Sequence, residues 1–217
     1  LVEAGDRDGL GYRDTVQDML AVTHSIPEAV RERLDLILTG QTAEGGGMPL
    51  VKPLEHRPGQ EPTPTLEQYR SDDTLWLPLT VANLAFETGD LEYLDTVLPY
   101  ADRDKATVFE HLMQALRFAV AHRGSHGLMQ GLAADWNDCI NLGVSGESLF
   151  STFLFHAACA RVAELARLSG READAVWCED QAAEIRKVAD EVAWDGEWFV
   201  RGISATGAKL GSRTADE

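Results

Sequence analysis

"ESLFSTFLFHAACARVAELARLSGREADAVWCEDQAAEIRKVADEVAWD", residues 147–195, decides the fold. Its first half is apolar on most faces, the pattern of a helix buried all round. Gly170 stops it, and after a tight turn a second long helical stretch begins at Arg171-Glu172.

The same signal recurs upstream. Ile26-Pro27-Glu28 opens a helix with proline in its first turn, running through "AVRERLDLILTG" to Gly40. "SDDTLWLPLTVANLAFETGD" (71–90) starts on cap residues Ser71, Asp72 and Asp73 and stops at Thr88-Gly89-Asp90, with Pro78 implying a late start or a kink. "DKATVFEHLMQALRFAVAHRG" (104–124) repeats Val108, Leu112, Leu116 and Val120 four apart before Gly124. Long helices alternating with loops, and little period-2 sequence, predict an all-α protein. Only "EWFVRGISATGAKLGSR" (197–213) alternates like a hairpin, with Thr206-Gly207 near its turn. The Gly- and Pro-rich stretch 44–70 reads as a long loop within one domain. Such helix pairs suit a toroid of antiparallel helices, and equally a bundle or solenoid.

Composition excludes several partners. With 36 acidic and 19 basic residues, a net charge of -17 argues against nucleic acid and anionic membrane surfaces. No apolar run approaches the roughly 18–20 residues of a membrane span, and no signal-like segment opens the chain. Cys139, Cys159 and Cys178 are far apart, so a reducing, cytoplasmic setting is expected rather than a disulfide framework. The six histidines lack the spacing of zinc ligands. The first and last stretches read as cut, which suggests a piece of a longer protein.

Three stretches carry candidate chemistry. In "GDRDGLGYRDTVQDML" (5–20), Arg7 and Arg13 precede a helix and Asp14 lies near its start. Arginine forks suit oxyanions and sugar hydroxyls, and Asp14 is equally readable as a helix cap. "YRSDDTLWLP" (69–78) reads first as a capped helix start. "GLAADWNDCINLGVSGES" (131–148) sets Asp135, Trp136, Asn137 and Asp138 in a Gly-rich loop. An aromatic plate beside carboxyl groups is what glycoside chemistry requires, with either Asp135 or Asp138 as the acid. A structural turn rich in Asp and Asn, with Trp136 in the core, is the competing interpretation.

Together, "GYRDTVQDML", "SDDTLWLP…TGD", "ADWNDCINLG…GES" and "LGSRTADE" resemble, in this order, the inverting disaccharide phosphorylases of glycoside hydrolase family 94. The resemblance spans essentially the whole chain. It implies an (α/α)6 barrel, incomplete here, with residues 1–217 a partial catalytic domain lacking an N-terminal β-sandwich and a C-terminal part. It implies reversible phosphorolysis of a β-linked disaccharide or oligosaccharide, with inorganic phosphate as co-substrate and no metal or organic cofactor. By position, Asp138 matches the general acid, Trp136 the tryptophan at the cleaved sugar, and Arg13 and Asp14 its hydroxyl-binding pair. Arg7 matches a phosphate-site arginine. The family's His and Ser/Thr phosphate ligands fall beyond Glu217, and a homodimer is implied for the full-length protein. Cys139 replaces a frequent glycine, and Met48 stands where a histidine is expected. An inverting hydrolase on the same toroid and a non-catalytic carbohydrate-binding or inactive fragment are the alternatives. The loops before residue 15 and at 131–147 are expected to converge on one end of the helices.

Overall fold

The computed structural model describes residues 9–215. Among them six helices dominate: α1 (Tyr12–Val22), α2 (Pro27–Leu38), α3 (Trp76–Thr88), α4 (Val108–Ala121), α5 (Leu149–Leu168) and α6 (Glu172–Val192). The helical expectation holds in outline, but short antiparallel strand pairs close the connections. β1 (Leu10–Gly11) pairs with β2 (Leu50–Val51), and β3 (Val97–Pro99) with β4 (Lys105–Thr107). β5 (Glu147–Ser148) pairs with β6 (Gly202–Ile203), which pairs with β7 (Lys209–Leu210). The hairpin expected near Thr206-Gly207 is the β6–β7 pair.

α3 lies at the centre, packed against α1, α2, α4 and α5. Leu77, Val81, Ala82, Leu84 and Ala85 bury most of its circumference. It ends as its sequence predicts, on Gly89 in the left-handed conformation (φ 72°). α5 and α6 form the most extensive helix pair. Phe155, Ala158, Cys159, Val162 and Leu165 of α5 meet Ala175, Cys178 and Ile185 of α6 in one continuous core. Removing a large apolar side chain of this kind from water contributes about 1.5–3 kcal/mol. α5 is long and apolar enough to cross a membrane, with a mean hydropathy of 1.3, so the expectation that no segment approaches a span needs correction. Its burial against α3, α4 and α6 marks it as the core helix of this domain.

One boundary differs from the sequence reading. Lys105–Thr107 form β4 rather than the first turn of α4, because they pair with Val97–Pro99, and the Thr107 side chain then caps α4 by accepting from Glu110 N. The 44–70 loop is tied down along its length. Gly59 N and Glu61 N donate to the carbonyls of Tyr100 and Ala101, Ala101 N donates to Gln41 O, and Gln41 Nε2 reaches His111 O at 3.0 Å.

The sheet pairs also set polarity. α1, α3 and α5 all begin where β1, the 69–75 segment and β5 lie, so three loops meet at one end of the helices. The backbone joins them: Arg70 bridges to Leu132 and Ala134, and Ser71 N donates to Ala134 O at 2.9 Å.

Gly45 holds the long loop against α4. It has φ 104°, and a Cβ there would stand 2.2 Å from Gln114 O and 2.8 Å from Phe118 Cβ. Gly45→Ala is therefore expected to destabilise the fold by about 2–4 kcal/mol, combining backbone strain with overpacking. Urea denaturation with an unchanged m-value checks it.

Candidate functional site

The three converging loops place Asp138, Arg13, Asp14 and Trp136 at the same end of the helices. Arg13 is not in the loop before α1, as its Gly-rich surroundings suggest, but is the second residue of the helix. Its side chain is nearly buried and crosses to the 131–148 loop. Nη2 donates to both oxygens of Asp138, at 3.2 and 3.1 Å, and Nη1 donates to the carbonyl of Asp135 at 3.1 Å. The same Nη1 stands 3.6 Å from Asp72 Oδ1, and Nε stands 3.8 Å from Asp14 Oδ1. A second arginine, Arg70, donates from Nε to Asp138 Oδ1 at 3.0 Å.

Asp138 thus sits between two guanidinium groups from separate loops, with 52% of its side chain exposed. Asp135 is its opposite. It is fully buried, accepting from Arg201 Nη2 at 2.6 Å, Asn137 N at 2.9 Å and Ser148 Oγ at 2.5 Å. Ser148 in turn caps α5 by accepting from Ser151 N at 3.1 Å. Of the two aspartates that the sequence leaves open as an acid, Asp135 is the pin that shapes the loop, and Asp138 is the one that reaches solvent.

Trp136 is 53% exposed, which removes the core interpretation of this residue. Phe150 lies next to it with ring centroids 6.3 Å apart, and Trp76 lies at the same distance from Phe150. Arg201 also lies over Phe150, 6.0 Å from its centroid. An exposed indole offers a flat apolar face of the kind that packs on a pyranose ring. Asp14 makes no cap hydrogen bond, since the α1 N-cap is Gly11. Its half-exposed carboxylate folds back over Gly11 beside Arg13.

The capped-helix reading of Asp72 and Asp73 is overturned. Neither makes a side-chain cap bond, and both are buried. Asp72 Oδ2 accepts from Trp76 Nε1 at 3.1 Å, while its Oδ1 has no hydrogen-bond partner among the described residues. Neither oxygen of Asp73 has one, nor has the nearby hydroxyl of Tyr12. Burial pushes the Asp72 carboxyl up to about 6, opposed by the Trp76 hydrogen bond and the charge on Arg13. Burial, and then the charge of Asp72, push Asp73 well above the usual carboxylate range. Burial and then Asp73 do the same to the Tyr12 phenol. Burial opposes the charge on Arg13, but Asp72, Asp138 and Asp73 outweigh it and raise its proton affinity.

Arg7 lies outside the described residues. Four contributors escaped the sequence reading as site residues: Arg70, Asp72, Asp73 and Arg201. "YRSDD" held a signal for the first three, a cation next to two acids ahead of an apolar helix. Arg201, 66 residues from Asp135, had none.

Residues 1–217 match the family model of the glycosyl hydrolase 94 superfamily catalytic domain, and the chain belongs to this family. It is 37% identical to the N,N'-diacetylchitobiose phosphorylase of Vibrio proteolyticus, over 100% of this chain and 29% of that protein. It is 39% identical to the enzyme of the same name from Vibrio furnissii, over 97% of this chain and 29% of that protein. Against the solabiose phosphorylase of Paenibacillus borealis it is 32% identical, over 99% of this chain and 27% of the relative. The chain spans less than a third of the length of these curated relatives.

The buried carboxyls give a stability prediction. A carboxyl whose pKa is higher folded than unfolded binds an extra proton on folding, so its contribution is fully present below the unfolded value near 3.8. It is lost as pH rises through the folded value, about 6 for Asp72 and higher than ordinary for Asp73. Asp73→Asn should therefore be more stable than the parent at pH 8, on the order of 1 kcal/mol or more, with the gain shrinking toward pH 4. Urea midpoints across that range measure it; a gain that grows on acidification contradicts the assignment.

Proposed function

We propose that the protein acts in the phosphorolysis of a β-linked disaccharide or oligosaccharide with inversion, releasing an α-sugar 1-phosphate. One observation carries the reading: Asp138, half exposed, is held by two arginines beside the exposed Trp136, while every neighbouring aspartate except Asp14 is buried. The names of the relatives support the reaction class. The converging starts of α1, α3 and α5 support an (α/α)6 barrel, of which residues 1–217 form part.

In this scheme the C–O glycosidic bond breaks through an oxocarbenium-like state. Asp138 gives its proton to the departing oxygen, and a phosphate oxygen forms the new bond at the opposite face of the anomeric carbon. Phosphate is already anionic at neutral pH, so no base is needed to generate the nucleophile. Trp136 packs on the sugar at the cleaved bond, and Arg13 and Asp14 bind its hydroxyls. Arg7 anchors phosphate as co-substrate, without a metal or organic cofactor. The three free cysteines fit a cytoplasmic setting, and a homodimer is the expected assembly.

The test uses protein expressed from its complete coding sequence. Sugar phosphate release is measured with and without phosphate, across a panel that begins with N,N'-diacetylchitobiose because two relatives bear that name. Phosphate-independent sugar release would make it a hydrolase. Asp138→Asn should lower turnover on unactivated glycosides by roughly 10²–10⁴. A β-glycosyl fluoride, whose leaving group needs little protonation, should keep much more of its rate; equal losses would make Asp138 a positioning residue. Arg7→Ala should raise the KM for phosphate at least about tenfold, as a lost charge-assisted contact does, with the KM for the sugar little changed.

A further inference from the structure

The site holds Arg13 between two carboxylates, and the arrangement conflicts with what a general acid requires. Both oxygens of Asp138 accept from Arg13 Nη2, and Arg70 takes Oδ1 as well. That geometry suits the ionised carboxylate left after proton transfer. An acid about to act carries a proton, and a carboxylic acid accepts poorly from two guanidinium groups at once.

Asp72 stands on the other side of the same guanidinium. Its Oδ2 is fixed by the Trp76 indole N–H, so the side chain cannot turn away. Its Oδ1 faces Arg13 Nη1 at 3.6 Å with no hydrogen bond of its own among the described residues, although the side chain is fully buried. The gap is about 0.5 Å beyond an ordinary N–H···O bond. A buried acceptor left open costs about 1–3 kcal/mol, which favours any arrangement that fills it. Arg13 Nε is likewise buried without a partner.

We propose that Asp72 is a positioning residue that competes with Asp138 for Arg13, drawing the guanidinium off the acid so that Asp138 takes up its proton before the glycosidic bond breaks. This rests on the reading of Asp138 as the acid. One guanidinium moves by a fraction of its hydrogen-bond length, and Asp138 gains an O–H bond by taking one proton from a solvent hydronium, which is left as water; its exposure permits this. The charged groups around Asp72 are Arg13 on α1, Asp73 next in sequence and Asp135 on the 131–148 loop. Arg70 and Asp14 act on Asp73 from the flanking loop and from α1. Burial, which favours the proton on Asp72, limits the competition to conditions in which Asp72 is ionised, so the exchange works at neutral pH and fails in acid.

Asp72→Asn keeps the size and the acceptor for Trp76 but loses the charge that attracts Arg13. Arg13 then stays on Asp138. The alkaline limb of the pH–rate profile for an unactivated disaccharide should shift about one unit toward acid, with kcat/KM near pH 7.5 falling about tenfold. The rate on a β-glycosyl fluoride, which does not need the acid, should change less than threefold and also shows that the variant is folded. Equal losses on both substrates with an unmoved limb would overturn the proposal and leave Asp72 a packing residue. Should Asp72→Asn fail to fold, Asp72→Glu carries the test: a carboxylate one methylene nearer Arg13 should move the limb toward alkali, and a limb left in place overturns the idea. Parent protein that releases no sugar phosphate, or Asp138→Asn with full activity, would refute the underlying reading instead. A phosphorolytic parent, an impaired Asp138→Asn and a normal Asp72→Asn would refute this inference alone.

Discussion

The guanidinium of Arg13 is the constraint on which the candidate site depends. It starts in the first turn of α1, and its hydrogen bonds end on the 131–148 loop, more than 120 residues away. Through Asp135 O it fixes the backbone of that loop; through Asp138 it fixes the exposed carboxylate. A delocalised cation is suited to this, because its planar fork presents several donors to several acceptors at once. Asp135 completes the arrangement from behind, since one carboxylate holds the Arg201 side chain, the Asn137 backbone and the Ser148 hydroxyl that caps α5. The position of the acidic loop is thereby coupled to the start of a core helix.

Beneath that surface the site is locally unfavourable. Among the described residues, Asp73 has two buried oxygens without hydrogen-bond partners, next to a tyrosine hydroxyl in the same condition. Groups left this way destabilise a fold, and the dense α3–α5–α6 core offsets the cost.

The helices were legible because their signals are local. Pro27 at a first turn, Gly89 after a last turn and the four-residue repeat from Val108 each act within one or two turns of the chain. The site was legible where composition was unusual, at Asp135-Trp136-Asn137-Asp138. It was misread where two causes produce the same residues. Asp72 and Asp73 precede an apolar helix, as cap residues do, and only packing against α1 and the 131–148 loop shows that they are buried beside Arg13. Arg13 itself was placed before the helix because glycines at 9 and 11 hid its first turn. Arg201 was invisible, since nothing in the β6–β7 hairpin marks a partner in a distant loop. Strand pairs of two or three residues leave no period to detect.

The stack of Trp76, Phe150 and Trp136 has an optical consequence. Trp136 meets water over half its surface, whereas Trp76 is anchored by its indole N–H to Asp72 and lies beside Phe150. The two indoles therefore emit from different surroundings, each near the ring of Phe150. Anything that covers Trp136 alters the polarity of one fluorophore and spares the other. The chain has five tryptophans, and Trp194 and Trp198 are also close to half exposed, so a change at Trp136 registers as one part of the total intrinsic emission.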